Sequence, residues 1–478
     1  MFTDPTAEVV IGNEPFWFKP TILDGVYVRD VFRTKEDEIV VFFLKDYRNA
    51  INVEVRIGET YQPMTYDCYY PQCQGTFDEC TYQDFYGTLK FNSSELIDNT
   101  VSIKISEFTL EHSFNVLDVR RNGPYTHQLA VVLQPAYYLA DWQNLIQYFE
   151  SWLTHGATKF YVYHYSWTRQ VQDVVNFYKE KLGNGLEILP WSSFPVREVD
   201  KGRFSVDANT RMFNLVSEAA MNNALYRAKG TVKFIAMMDL DEMMYVGGGH
   251  QLIPLLRQLD EESPDAAQFS FEWIHAGAQI SLASLNKPSD INFDYLHTVK
   301  PVTNDSLDTI YFTSRKVIHM PDRVEILDTH NTLKNYFRNE SEKYETIMVD
   351  SGRAACWHIR RIFDAAKLQA DKKNLLAKHI AEINENYKKR IENTNFPNIQ
   401  MSPWLADYRT TLMTLHDCRR VTRSKYRKIV RGGLTQCRSV RGCEQFLGGQ
   451  EHFIYAENSW TNLATRFDVL GDIFPMKI

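Results

Sequence analysis

Short apolar runs alternate with stretches of helical spacing through the middle of this chain. Residues 128–133 (Gln-Leu-Ala-Val-Val-Leu) read as a buried strand ended by Gln134-Pro135. Leu139, Trp142, Leu145, Ile146, Phe149 and Leu153 then share one helical face, with Gly156 placed to stop the helix. Residues 159–163 form the next strand. Val171, Val174, Val175 and Tyr178 mark the next helix, with Gly183 as its stop, and residues 186–189 the third strand. A helix is predicted over 212–228 and a fourth strand over 232–238, an apolar run interrupted only by Lys233. Alternation at these spacings predicts an α/β fold with a mostly parallel, doubly wound sheet.

The flanks differ in pattern. Residues 9–120 are β-rich, with strand-like runs at 26–28, 38–44, 51–55 and 101–105 and polar connections between them, which suggests a small sandwich-like domain. Downstream, 268–274 reads as a strand, and 317–319 and 324–327 as a pair around the Pro321-Asp322 turn. Residues 365–392 have helical spacing, and the last stretch is mixed. The expected organisation is therefore a β-rich N-terminal domain over 1–123, an α/β domain over 124–364 and a helical or mixed region over 365–478.

The fourth strand ends in Asp239-Leu240-Asp241-Glu242. This reads either as a solvated strand-end turn or as a ligand site in the crevice at the carboxyl end of an open α/β sheet. On an extended chain Asp239 and Asp241 would point to one side. Two hard oxygen donors so placed suit Mg²⁺ or Mn²⁺, above all an ion shared with a diphosphate.

Composition narrows the classes. The chain has 478 residues, 44% hydrophobic and 24% charged, which is globular, and its net charge of −7 gives no bulk attraction to nucleic acid. One basic stretch runs against this: Arg419, Arg420, Arg423, Lys425, Arg427, Lys428, Arg431, Arg438 and Arg441, read as a solvated face or as a patch for an anionic partner. The seven cysteines include two groups of three (Cys68, Cys73, Cys80 and Cys418, Cys437, Cys443), a spacing that favours disulfides within each group over zinc and leaves Cys356 as the free thiol. With sequons at Asn92, Asn304 and Asn339 they point to an oxidising, secretory compartment. No run reaches the length of a membrane span and no signal-peptide core is present, so an anchor is expected to lie outside this chain.

Residues 125–361 resemble glycosyltransferase family 92. The resemblance rests on Leu139-Ala140-Asp141-Trp142 with His155-Gly156-Ala157-Thr158-Lys159-Phe160-Tyr161-Val162-Tyr163, on Asp239-Leu240-Asp241-Glu242-Met243, on Phe271-Glu272-Trp273, on residues 316–330 and on Trp357-His358-Ile359-Arg360. Two positions depart from the family pattern: His164-Tyr165 stands where Asp-Asn is common, and Met243 where Phe is.

The resemblance implies a GT-A-type, Rossmann-like nucleotide-sugar domain, Mn²⁺ or another divalent cation, and inverting transfer. It also implies a Golgi type II membrane protein, with a homodimer left open. It implies most specifically the transfer of β-1,4-linked galactose from UDP-galactose to the core fucose of an N-glycan. On this reading Asp241 ligates the metal, Asp239 serves the metal or the ribose, and Glu242 supports them or caps the turn. His330 or His358 completes the metal site. Leu133, Gln134 and Pro135 meet the uracil, and Arg211 or Arg227 the diphosphate, with a solvated or salt-bridged helix position as the alternative for each arginine. Glu272, buried beside a Trp273 sugar platform, is the expected base, with Asp305 and Asp308 as rivals. Two alternatives stand beside it. One is a carbohydrate-binding protein on a catalytically degenerate GT-A scaffold. The other is a metal-dependent phosphohydrolase, which would need more His and Asp ligands than the pattern offers.

Overall fold

A computed structural model describes residues 25–463 apart from 70–79, 93–95, 97–98, 197, 199–200, 202–206, 250, 280–289, 302–314, 331, 337–341, 363–374, 393, 395, 397–398, 408, 419–436, 438, 441–442, 444–446 and 448–450. Asp305, Asp308, Asn304, Asn339, Cys73 and the basic residues of 419–441 lie outside the described residues.

The N-terminal part forms one sheet from β1 (Tyr27–Lys35), β2 (Glu38–Asp46), β3 (Val53–Ile57), β4 (Thr60–Pro63), β5 (Thr65–Cys68), β6 (Tyr82–Lys90), β7 (Thr100–Ile105) and β8 (His112–Asp118), in the order β4-β3-β7-β8-β1-β2-β6-β5. Val53, Val55, Ile103 and Ile105 pack against Val31, Val41 and Phe43, so the sheet encloses its own core in a sandwich-like way. Every residue of β2 is buried, because Val40 and Phe42 on its other face pack against the second part of the chain, Phe42 edge-on to Tyr226.

The second part comprises β9 (His127–Ala136), α1 (Trp142–Thr154), β10 (Lys159–His164), β11 (Ser166–Thr168), α2 (Arg169–Leu182), β12 (Leu186–Pro190), α3 (Ser217–Ala228), β13 (Val232–Met237), β14 (Glu242–Val246), α4 (Leu252–Glu262), β15 (Ala266–Gln279), β16 (Lys300–Pro301), β17 (Arg315–His319), β18 (Val324–Leu327), β19 (Thr332–Asn335), β20 (Glu345–Met348), β21 (Ala354–Ile362) and α5 (Ala377–Ile391). Its main sheet runs β12-β10-β9-β13-β17-β15-β21-β14. β12, β10, β9 and β13 are mutually parallel, as expected, and β17 enters antiparallel between β13 and β15. Asp141 caps α1 by accepting from the Asn144 N–H at 3.1 Å, and Gly156, at φ +90°, ends the helix in a conformation that L side chains avoid.

Two local expectations are corrected. Residues 317–319 and 324–327 do not pair with each other: β17 is claimed by β13 and β15, whereas β18 pairs with β19. The helix expected from Met212 begins at Ser217, because Asn214, Leu215 and Val216 all take left-handed φ values of 42°, 57° and 53°. Helical spacing at 365–392 is met only by α5, residues 363–374 lying outside the described set.

The last described strands return to both parts of the chain. After the short helix α6 (Pro403–Ala406), β22 (Phe453–Tyr455) pairs with β11 and β23 (Thr461–Asn462) with β1. Disulfides join Cys80 to Cys437 and Cys418 to Cys443, Cys68 is also disulfide-bonded, and Cys356 is a buried free thiol. The second bridge and the free thiol match the expectation. The first corrects it, since Cys80–Cys437 links the two groups rather than closing within one.

Two buried imidazoles predict acid lability. His155 bonds the Met244 carbonyl at 3.0 Å and His319 bonds Gln268 at 3.0 Å. Burial pushes both down to about 3, for His155 with help from His379. The unfolded chain then takes up protons that the folded chain refuses. Their stabilisation is complete above the unfolded value near 6.5 and is lost as pH falls toward 3. We expect each to cost roughly 2 kcal/mol by pH 5. Tm measured between pH 7 and pH 4 should fall steeply, and His319→Gln should flatten the slope. A flat Tm across that range would refute the account.

Candidate functional site

The first four strands of the main sheet lie in the order third, second, first, fourth, so the direction of winding reverses between β9 and β13. Ligands of open α/β sheets bind in the crevice at such a point, beyond the carboxyl ends of the strands. Gln134 lies near the carboxyl end of β9 and Asp239 follows β13, and Gln134 Nε2 donates to Asp239 Oδ1 at 2.8 Å across that gap. The carboxylates are thus at the place where winding reverses.

They do not lie on extended chain. β13 stops at Met237, and residues 239–242 turn, closed by the Glu242 N–H bonding the Asp239 carbonyl at 3.2 Å. The turn sends Asp239 and Asp241 to different partners. Asp239 is tied to Gln134 and lies 3.4 Å from Lys316 Nζ. Asp241 Oδ2 lies 3.1 Å from His358 Nε2, and its carbonyl accepts the Ile359 N–H at 2.7 Å. Glu242 is buried, accepts the Asp239 N–H at 2.8 Å and pairs with Lys316 at 3.0 Å, so it both caps the turn and supports the cluster.

Charge and burial compete here. Burial pushes the Glu242 carboxyl well above its usual range, against the pull of Lys316. Burial would lower Lys316, yet Asp239 and Glu242 beside it more than reverse this and hold it charged. Burial would likewise lower His358, and Asp241 turns the shift upward. His330 is lowered by burial and by Lys316.

The two candidate histidines separate. His358 faces Asp241, whereas His330 bonds the Arg315 carbonyl through Nδ1 at 2.9 Å and packs on Trp273 at 5.3 Å between centroids. Trp273 gathers three imidazoles: His358 stacks on it at 4.8 Å and 10°, and His275 lies at 4.6 Å. One indole face is therefore covered by His358.

Two further expectations are corrected. Glu272 is exposed, not buried, and strand alternation turns it to the face opposite Trp273 and His275. Arg211 is buried against Asp46 at 3.1 Å and lies over the Tyr82 ring, at the junction with the N-terminal sheet and not at the carboxylates. Arg227 pairs with Asp30 at 3.0 Å and Glu187 at 3.1 Å, in keeping with its salt-bridged alternative. Leu133 is buried in the core and Pro135 continues β9, so of the three strand-end residues only Gln134 has a side-chain bond to the carboxylates.

Sequence reasoning missed Lys316. The signal was slight: Lys316 directly precedes the apolar pair Val317-Ile318 on a strand, and a lysine so placed is rarely buried unless paired. His275 was missed because its role shows only in the register that sets it beside His358.

A cation fits this donor set in part. Among the described residues no three His, Cys, Asp or Glu side chains converge on one point. Asp241 and His358 offer one carboxylate and one imidazole, chemistry that suits Mn²⁺ when a diphosphate and water supply the remaining ligands.

The model of glycosyltransferase family 92 matches residues 127–419. No curated protein matches the chain. Among solved structures, the crystal structure of amylomaltase from Corynebacterium glutamicum is similar over 28% of this chain and 20% of its own, at 11% identity and a TM-score of 0.15, a likeness too slight to carry any argument.

Proposed function

The chain belongs to glycosyltransferase family 92, and from that premise we propose a metal-dependent, inverting hexosyltransferase that moves galactose from UDP-galactose onto the core fucose of an N-glycan in β-1,4 linkage. The observation that carries metal-dependent transfer is the pairing of Asp241 with His358, next to an Asp239 tied across the point where the sheet reverses its winding. The strand order, with β17 antiparallel inside a parallel sheet, supports a GT-A-type domain. Donor, acceptor and linkage rest on the family resemblance.

Asp241 and His358 would hold the cation, which when bound offsets charge growing on the leaving diphosphate. Gln134 and Lys316 fix Asp239 beside it. Trp273 holds His358 by stacking. The Cys80–Cys437 and Cys418–Cys443 bridges, and an exposed Asn92 in its sequon, support folding in an oxidising lumen and a Golgi setting. No helix among the described residues is long and apolar enough to cross a membrane.

The test is UDP release from a panel of UDP-sugars with Mn²⁺, with and without a fucosylated N-glycan. Release that requires the glycan and is abolished by EDTA supports the reading. Donor binding without any transfer would favour a carbohydrate-binding protein.

The exposed position of Glu272 makes a separate prediction. A general base contributes about 10²–10⁴-fold. Glu272→Gln should instead keep kcat within about threefold of the parent, far short of that range. A loss of 100-fold or more, with the donor KM unchanged, would restore Glu272 as the base.

A further inference from the structure

Lys316 is wholly buried, yet its ammonium sits in the middle of the carboxylate cluster. It lies 3.0 Å from Glu242 Oε1 and 3.4 Å from Asp239 Oδ2. The other oxygen of Asp239 accepts from Gln134 at 2.8 Å, and its backbone N–H is held by Glu242 Oε2 at 2.8 Å. Asp239 is thus restrained at both carboxylate oxygens and at its backbone. Asp241 faces His358 instead.

Resting on the metal-dependent reading above, we propose that Lys316 is a positioning residue that divides the two aspartates: it keeps Asp239 from ligating the cation and leaves that task to Asp241 and His358. The buried pair Lys316–Glu242 is the device. A cation already resident against Asp239 makes the approach of a second one unfavourable there. Asp239 remains a fixed acceptor in the crevice, and its restraint keeps the donor's place open.

The test is calorimetric titration of the full chain with Mn²⁺ alone, without donor or acceptor. Lys316→Met combined with Glu242→Gln removes one charge of each sign, so the net charge of the site is unchanged. This pair should bind Mn²⁺ ~10-fold more tightly, because Asp239 is freed to ligate, while turnover falls. A merely structural role would not tighten metal binding. Adding Asp239→Asn to the pair should return the affinity to the parent value. In the parent, Asp239→Asn should leave Mn²⁺ affinity within about twofold, whereas Asp241→Asn should lower it at least ~10-fold.

Unchanged or weaker binding by the folded double variant overturns the proposal. If that variant does not fold, Asp239→Asn decides, since a loss equal to that of Asp241→Asn overturns it too. A parent chain that binds Mn²⁺ neither alone nor with UDP present sinks the metal-dependent reading itself, which is a different result from either of these.

Discussion

Asp241→Asn is expected to lower turnover at least ~100-fold while the fold survives, the scale of losing one preorganised electrostatic group. The side chain is half-buried at the end of a turn and its change of shape is small. Its carbonyl, not its carboxylate, makes the bond to the Ile359 N–H that secures the turn to β21, so the substitution leaves that anchor intact. What is lost is the negative charge facing His358 at 3.1 Å. The amide binds a divalent ion weakly, and transfer loses the charge that offsets the departing diphosphate. Turnover at saturating Mn²⁺, read beside circular dichroism and Tm, separates chemistry from folding. Parental turnover in this variant, or parental turnover of the unaltered enzyme in EDTA, would show that the cation is not held here.

Removal of the Cys80–Cys437 bridge by paired Ser substitutions should destabilise the protein by on the order of 6 kcal/mol in the loop-entropy account. The bridge closes a separation of 357 residues, and both sulfurs are in the interior. It fixes the end of the chain to the edge of the N-terminal sheet, where Arg211 and Asp46 are also buried. Non-reducing peptide mapping of protein secreted by cells should find the peptide of Cys80 joined to that of Cys437. A map that confines Cys80 to its own sequence neighbourhood, or a Tm unmoved by the paired substitution, would contradict this arrangement.

The parallel half of the main sheet was readable because its strands are buried on both faces, and a run such as Val232 to Met237 has few other ways to hide. The carboxylates were readable for the same reason, since a cluster of charge directly after such a run has to reach solvent or a ligand. What the sequence concealed was partnership. Pro321-Asp322 announces a turn, but the turn does not say that β17 will be taken by β13 and β15. Three consecutive left-handed residues at 214–216 carry none of the glycines that would mark them. Glu272 beside Trp273 looked like one site, yet neighbours on a strand face opposite ways. Cysteine spacing suggested local bridges because proximity in sequence was the sole guide to pairing, and the fold brings Cys437 back to Cys80 instead. Lys316 meets Asp239 and Glu242 only through register, which no single stretch of sequence encodes.

The return of the chain end to its beginning has a consequence for biosynthesis. β1 is completed by β23, and the Val26 N–H is satisfied by the side chain of Asn462, 436 residues later. A ribosome adding several residues each second needs on the order of tens of seconds to deliver that partner. Through that interval the nascent N-terminal sheet carries an unfinished edge and Cys80 an unpaired thiol. Truncation ahead of Asn462 therefore leaves its mark far from the cut, on an N-terminal sheet whose β1 loses its last partner.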